Sequence, residues 1–368
     1  MKYEIATVVA LALLISSASA LGNVVLQGNG QVAFGNGVGS ITQTGANGAI
    51  VVGNGNWVMQ GNEQFANHNG IGIVNQVADN GALVIGDGNL VMEGNLQVAD
   101  LNGAGVIDQD ASNLAAVIGD RNVVEQVNFA FANQYGFATG ISQNQDNLAL
   151  VIGTGNNAMQ YNYADAVVNG LLSGVVQDQT NVGLQVGIAN DMMQNNDAYA
   201  NVAGFFSFAD QDQSNAGLQV GDLNYMDQYN AADAFVFGVG NYAGQDQSNA
   251  ATEVGVFNVV GQDNYASATM MGTFDVITQT EDNTALVLGI GDIAYQGNYQ
   301  VALSDAAWDF ETDTIDQTAG NLAVMVGSGD LAVQGNGQMA VQTPDSDVAI
   351  IQTADNLAVV ISPVVGTI

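Results

Sequence analysis

A repeat of about 34 residues runs through this chain and restricts its fold more than any other feature of the sequence. Glutamine recurs at one position of the repeat, and asparagine always follows four residues later. The glutamines are Gln43, Gln76, Gln109, Gln143, Gln177, Gln211, Gln245, Gln279, Gln317 and Gln352, and the asparagines are Asn47, Asn80, Asn113, Asn147, Asn181, Asn215, Asn249, Asn283, Asn321 and Asn356. Self-similarity of this length is typical of architectures in which one unit stacks on the next.

Each unit has a second half with a pattern of its own. Counted from an asparagine such as Asn56, a glutamine lies four residues on, an asparagine six residues on and an alanine ten residues on. Glu93 replaces the glutamine in one unit. We call the segment that begins with the glutamine the A half and the segment that begins at Asn56 or its counterparts the B half. A glycine-containing triplet, such as Gly53-Asn54-Gly55, separates the two halves.

The even spacing within each half predicts β-strands, because side chains of a strand alternate between two faces. Glycine between the halves permits the positive φ that a sharp bend requires. Two geometries fit a unit of strand, arc, strand and return. In a hairpin the two strands pair with each other, whereas in a β-arch they face each other and each pairs with its copy in the next unit. The recurrence of the same amides favours the arch, since stacked Asn and Gln side chains hydrogen-bond along a ladder.

We therefore predict an all-β fold, a β-solenoid of stacked β-arches with about ten rungs of about 34 residues and with Asn/Gln ladders. A single repeat domain would cover residues 21–368, with a half repeat at 22–42, full repeats over 43–351 and a half repeat at 352–368. The predicted structural ladder consists, at its centre, of Gln109, Asn113, Gln143, Asn147, Gln177, Asn181, Gln211, Asn215, Gln245 and Asn249.

The first 20 residues have the pattern of a secretory signal peptide. A short apolar run from Ile5 to Ile15 precedes the small-residue cleavage motif Ala18-Ser19-Ala20. The run is shorter than the roughly 20 apolar residues that a membrane-spanning helix needs. We expect a secreted, extracellular protein without membrane insertion after cleavage of residues 1–20.

Composition excludes several classes of function. The chain has 36 acidic residues against two basic ones, so nucleic acid is not an expected partner, because binding to phosphates requires many Lys or Arg side chains. It has no cysteine and one histidine, His68, which we interpret as a solvated turn residue in the polar run Asn67-His68-Asn69-Gly70. No set of residues suited to catalysis is visible, so we expect no enzymatic activity, no catalytic residues and no cofactor.

The best candidates for metal ligands are three aspartates at the same position of consecutive units, Asp178, Asp212 and Asp246. Carboxylates stacked at the spacing of the rungs repel one another, which favours protonation or a bound cation. Weak binding of Ca²⁺ or Mg²⁺ is one interpretation, since these ions take oxygen ligands. Protonation of the stacked carboxylates without a bound ion is the other.

The two ends of the repeat array carry complementary halves. The chain after residue 20 opens with a B half, marked by Asn23, Gln27 and Asn29, and closes with an A half, marked by Gln352 and Asn356. The last A half of one subunit and the first B half of the next could complete one arch, a hypothesis for head-to-tail polymers. Pro363 occupies the arc position of the last unit and could instead end strand pairing there.

The Gln-x3-Asn-x-Ala and Asn-x3-Gln-x-Asn blocks resemble the repeats of curlin-type functional amyloid subunits. The acidic, cysteine-free chain also resembles the amyloid-like sheath proteins of filamentous methanogenic archaea. These resemblances imply β-arches stacked into a tough extracellular envelope, built from a homopolymer with head-to-tail and lateral contacts. A monomeric solenoid acting as a surface adhesin or binding protein is the alternative function.

Overall fold

The computed structural model of the chain describes residues 6–7, 23–53, 56–86, 89–154, 156–188, 190–239, 241–273, 276–290, 292–306, 312–328, 331–342 and 347–361. Except for Ala6 and Thr7, the predicted signal peptide lies outside the described residues, and so does Pro363. All regular structure in the described ranges is β-strand. None of it is a helix of the length and apolarity needed to cross a membrane.

The described residues form strands of 2 to 32 residues that follow one another along the chain. They are β1 (Ala6–Thr7), β2 (Val24–Leu26), β3 (Asn29–Val52), β4 (Trp57–Met59), β5 (Asn62–Ile85), β6 (Val91–Asn102), β7 (Gly105–Asp120), β8 (Val124–Thr154), β9 (Asn157–Ile188), β10 (Asp191–Phe205), β11 (Ser207–Asp222), β12 (Tyr225–Val239), β13 (Tyr242–Val256), β14 (Val259–Thr273), β15 (Val276–Ile290), β16 (Ile293–Ala306), β17 (Thr312–Ser328), β18 (Leu331–Gln342) and β19 (Asp347–Ile361). Several strands, such as β5, continue from a B half through the return into the next A half.

Each half pairs in parallel with its own copies one repeat before and one repeat after it. Gln177, for example, is aligned with Gln143 on one side and with Gln211 on the other. Among the described pairings only that of β1 with β3 is antiparallel, with Ala6 opposite Ala33. The predicted β-solenoid of arches is therefore confirmed, and the hairpin alternative is excluded for the described strands. The ten copies of each half wind into about nine turns, with a half turn left over at each end.

The interior of the arch alternates between apolar and amide layers. Small apolar side chains, such as Ala149 and Val151, fill the space next to the arc. A second apolar cluster, which includes Ile141 and Val175, runs along the return side of the solenoid. Buried asparagines and glutamines lie between these layers. The inward side of each strand therefore combines apolar burial with polar groups that must find partners inside the protein.

Glycine is required where the arc bends. Gly53 and Gly86 have φ values of 140° and 139°, which side chains with a Cβ rarely adopt. They also stack on each other, and a Cβ on Gly86 would collide with the carbonyl oxygen of Gly53. The close approach of successive rungs thus explains why glycine recurs at this position of the repeat.

The interpretation of His68 as a solvated turn residue is wrong. His68 lies within β5, and its side chain is only 2% exposed. It stacks between Gly35 and Leu101 on the inward side of the return. Its neighbour Asn69 is exposed, as alternation along a strand requires. The polar sequence resembles a turn, but the strand continues through it.

We expect His68→Leu to stabilise the protein. Both ring nitrogens of His68 are buried without a hydrogen-bond partner, and such groups cost about 1–3 kcal/mol. We call the residues that stack at one position of successive rungs a column. Leucine already occupies the column of His68 in the next rung, at Leu101. Chemical denaturation of the variant should show a higher midpoint. An unchanged or lower midpoint would contradict the burial of an unpaired ring.

Candidate functional site

The asparagines of both halves form one continuous zigzag of hydrogen bonds inside the solenoid. In chain order the A halves contribute Asn47, Asn80, Asn113, Asn147, Asn181, Asn215, Asn249, Asn283, Asn321 and Asn356. The B halves contribute Asn29, Asn62, Asn95, Asn128, Asn162, Asn196, Asn230, Asn264, Asn298 and Asn336. We call this series the asparagine zigzag.

Asn181 shows how each member of the zigzag is held. Its Nδ2 donates to Oδ1 of Asn196 across the arch at 2.8 Å and to Oδ1 of Asn215 in the next rung at 3.0 Å. The same nitrogen donates to the backbone carbonyl of Asn195 at 3.1 Å, and Oδ1 accepts from Asn147 at 3.0 Å. Because a backbone carbonyl can only accept, this contact determines which end of the amide carries the nitrogen.

The zigzag has a direction. Each asparagine donates toward the C-terminal end of the solenoid, from Asn29, which donates to Asn62 at 3.0 Å, to Asn321, which donates to Asn356 at 2.8 Å. Among the described residues, none donates to Oδ1 of Asn29 and none accepts from Nδ2 of Asn356. The zigzag therefore presents an amide acceptor at one end of the solenoid and an amide donor at the other.

The glutamines of the A halves form a second ladder of opposite direction. Gln211 donates to Gln177 at 2.8 Å, Gln177 donates to Gln143 at 2.8 Å, and the series ends where Gln352 donates to Gln317 at 2.7 Å. The predicted ladder residues from Gln109 to Asn249 thus lie together in these two series. Opposed directions let the amide dipoles of the two ladders partly cancel.

Three buried glutamates occupy positions that carry glutamine in neighbouring rungs. Glu93 aligns with Gln126, Glu253 with Gln219 and Glu281 with Gln247; of these, Glu93 is 4% exposed and the other two are fully buried. Burial raises the pKa of Glu93 to about 8 and the pKa values of Glu253 and Glu281 to about 9. Near neutral pH these side chains are therefore carboxylic acids rather than carboxylates.

The ladders next to Glu253 and Glu281 show why the neutral form fits. Gln219 donates to Gln185, and Gln247 donates to Gln213, both at 2.9 Å, yet Oε1 of Gln219 and of Gln247 has no donor. The next residue in each column is the glutamate. A carboxylic acid has an O–H that can donate to such an oxygen, whereas a carboxylate cannot.

The sequence interpretation did not identify Glu253 or Glu281. They lie outside the repeated Gln and Asn positions, in columns where glutamine occurs in only part of the array, such as Gln185 and Gln219 before Glu253. The signal for these glutamates is present in the sequence. It appears when every inward position is aligned across the units, and not only the positions that carry Gln or Asn in nearly every unit.

Asp178, Asp212 and Asp246 stack in register on the outside of the A halves, where they are exposed. Partial burial against the sheet, and then the neighbouring aspartates, raises the pKa of Asp212 and of Asp246. In the described part of the chain, no group of three or more His, Cys, Asp or Glu side chains is arranged to hold a metal ion. Weak Ca²⁺ or Mg²⁺ binding by these aspartates stays a prediction.

The predicted assembly residues lie at the two open ends. At the N-terminal end Asn23 donates to the carbonyl of Val52 at 3.0 Å, and Gln27 donates to Oε1 of Gln60 at 3.1 Å. At the C-terminal end Gln352 and Asn356 are exposed on β19. Comparison with family models, curated proteins and solved structures finds no match to this chain.

Proposed function

We propose that this chain is a structural subunit of an extracellular amyloid-like sheath or fibre, and that it assembles head to tail by β-strand stacking. The observation that supports the proposal is the asparagine zigzag, which has one direction and is open at both ends. An open polar ladder in a parallel sheet is a template for another copy of the same ladder.

The proposed joint is a completed arch. The A half of β19 in one copy faces the B half of β2 and β3 in the next copy. Nδ2 of Asn356 then donates to Oδ1 of Asn29 in that copy, as Asn321 donates to Asn336 at 2.6 Å within the chain. Two N-terminal ends cannot join in this way, because the acceptor atom Oδ1 of Asn29 in one copy would meet the same acceptor atom in the other. The contact is therefore heterologous, and such contacts produce open polymers when the rotation does not close.

Cleavage of the predicted signal peptide would prepare the N-terminal end for this joint. Ala6 and Thr7 pair with Ala33 and Val32 of β3, which lies at that end. Removal of residues 1–20 takes this pairing away and uncovers the backbone edge. Secretion and assembly would then follow in that order, with the free edge appearing outside the cell.

We expect Asn356→Leu to slow polymerisation strongly while the single chain stays folded. Leucine neither donates to nor accepts from Asn29 of the next copy, and an orphaned amide costs about 1–3 kcal/mol, which weakens the joint about fivefold or more. Thr353→Leu is the matched control, since it changes an exposed side chain of the same strand that points away from the ladder. Sedimentation and negative-stain electron microscopy measure the outcome.

Polymerisation of Asn356→Leu at the rate of the unchanged protein would contradict the joint. Hoops or fibres of the unchanged protein support the sheath proposal. Monodisperse monomers over the whole concentration range would overturn it and favour the adhesin alternative.

A further inference from the structure

An apolar stripe runs along the outside of the A halves. It consists of three outward positions in each rung, which are residues 48, 50 and 52 in the first A half and their counterparts in the others. In the central rungs these positions carry, among others, Leu148, Leu150, Ile152, Leu184, Leu218 and Val220. Leu148 is 44% exposed and Ile152 is 39% exposed, so the stripe faces solvent in the single chain.

The stripe is free of charge in the described residues, although the chain carries a net charge of −34. Acids begin two positions away, with Asp146 in the rung of Leu148 and Asp282 in a later rung. The outside of the B halves is also acidic, for example at Asp165 and Asp233. The stripe is thus a surface on which two copies can approach without bringing carboxylates together.

Its dimensions fit a protein interface. Ten rungs at about 4.8 Å and five residues of strand at about 3.3 Å correspond to roughly 800 Å². A standard interface buries about 800 Å² on each partner, and the largest apolar patch of a typical monomer covers about 300–600 Å². A stripe of this size and shape is large enough to hold a second solenoid along its whole length.

We propose that the stripe is the lateral contact of this protein and that its partner is the same stripe on a second copy, packed side by side. Leucine, isoleucine and valine ridges from the two sheets interdigitate, as in the packing of two sheets face to face. The inference deepens the proposed function, because head-to-tail polymers continue the stripe from subunit to subunit. Many weak contacts along paired polymers then act together.

The test places charge on the stripe and, in a matched control, next to it. The first variant combines Leu184→Asp with Leu218→Asp, and the control combines Thr180→Asp with Ser214→Asp in the same two rungs. We expect polymers of the first variant to be single in width, while the unchanged protein and the control form paired or sheet-like polymers. Electron microscopy measures the width, and circular dichroism checks the fold.

A variant that cannot join head to tail tests the lateral contact independently of the proposed function. Asn356→Leu should still form side-by-side dimers in analytical ultracentrifugation, and adding the two stripe aspartates should abolish them. Should the aspartates disrupt folding, Leu184→Ser with Leu218→Ser gives the same comparison without charge. Equal pairing of stripe variants and unchanged protein would overturn the inference. Monomers that bind phosphatidylcholine vesicles through the stripe would also overturn it.

Discussion

Replacing Glu253 and Glu281 with glutamine will raise the free energy of unfolding at pH 7 by several kcal/mol and will change it little at about pH 4. In the folded chain burial raises the pKa of both side chains from 4.5 to about 9. The folded state therefore binds more protons than the unfolded state between these values, and stability falls as pH rises through that range. One pH unit corresponds to about 1.4 kcal/mol, so each glutamate costs roughly 3 kcal/mol at pH 7.

Glutamine removes this cost because its amide donates at every pH. It also places a permanent donor next to the unpaired Oε1 atoms of Gln219 and Gln247. Guanidinium unfolding at about pH 4, 7 and 9 should show a steep decline for the unchanged chain and a flatter one for the double variant. Glu63→Gln, at an exposed position, should change stability by about 0.5 kcal/mol or less. A double variant as sensitive to pH as the unchanged chain would contradict the assignment.

Asn215→Leu should be among the most destabilising single substitutions in the solenoid. Nδ2 of Asn215 donates to Asn230 at 2.9 Å and to Asn249 at 3.0 Å, and Oδ1 accepts from Asn181 and Asn196. Leucine removes these four hydrogen bonds between asparagine side chains from the interior of the solenoid. Since a net hydrogen bond contributes about 0.5–1.5 kcal/mol, we expect the loss of four to lower the free energy of unfolding by about 4 kcal/mol.

The neighbouring exchange Ser214→Ala is the control, because Ser214 lies on the outward side and is only partly buried. Its expected effect is about 0.5 kcal/mol or less. Denaturant midpoints and amide hydrogen exchange measure both variants. If Asn215→Leu unfolds at the same midpoint as Ser214→Ala, hydrogen bonds of the buried zigzag do not stabilise the fold.

Much of the fold could be predicted from the sequence because its physical causes are local. Alternation of side chains follows from the geometry of a strand, so Gln177, Asn181 and their counterparts had to share one face. Their repetition in every unit determined the register, because a slip by one residue would turn all of them outward. His68 was misread for the converse reason, since a polar local sequence does not reveal that the strand continues through the return.

At some inward positions the repeat alternates between a glutamine and an alanine, and the sequence does not explain the choice. The residue type there depends on which column faces it across the arch. Gln97 extends from a B half to the carbonyl of Asp110, beside Ala111, at 2.7 Å. In later rungs the roles are exchanged, and Gln179 extends from an A half to the carbonyl of Asp197, beside Ala198, at 2.9 Å. Each glutamine faces a small alanine on the opposite sheet, because the interior has space for only one large side chain at that level.

The sequence by itself determined the strands, the stacking and the register of this protein, since each repeated residue needs only its own copy in the next unit. The tertiary structure alone decided the direction of the asparagine zigzag and the neutral state of Glu253 and Glu281. Hydrogen-bond direction and pKa depend on donors, acceptors and burial supplied by the facing strand, which lies many residues away in the chain.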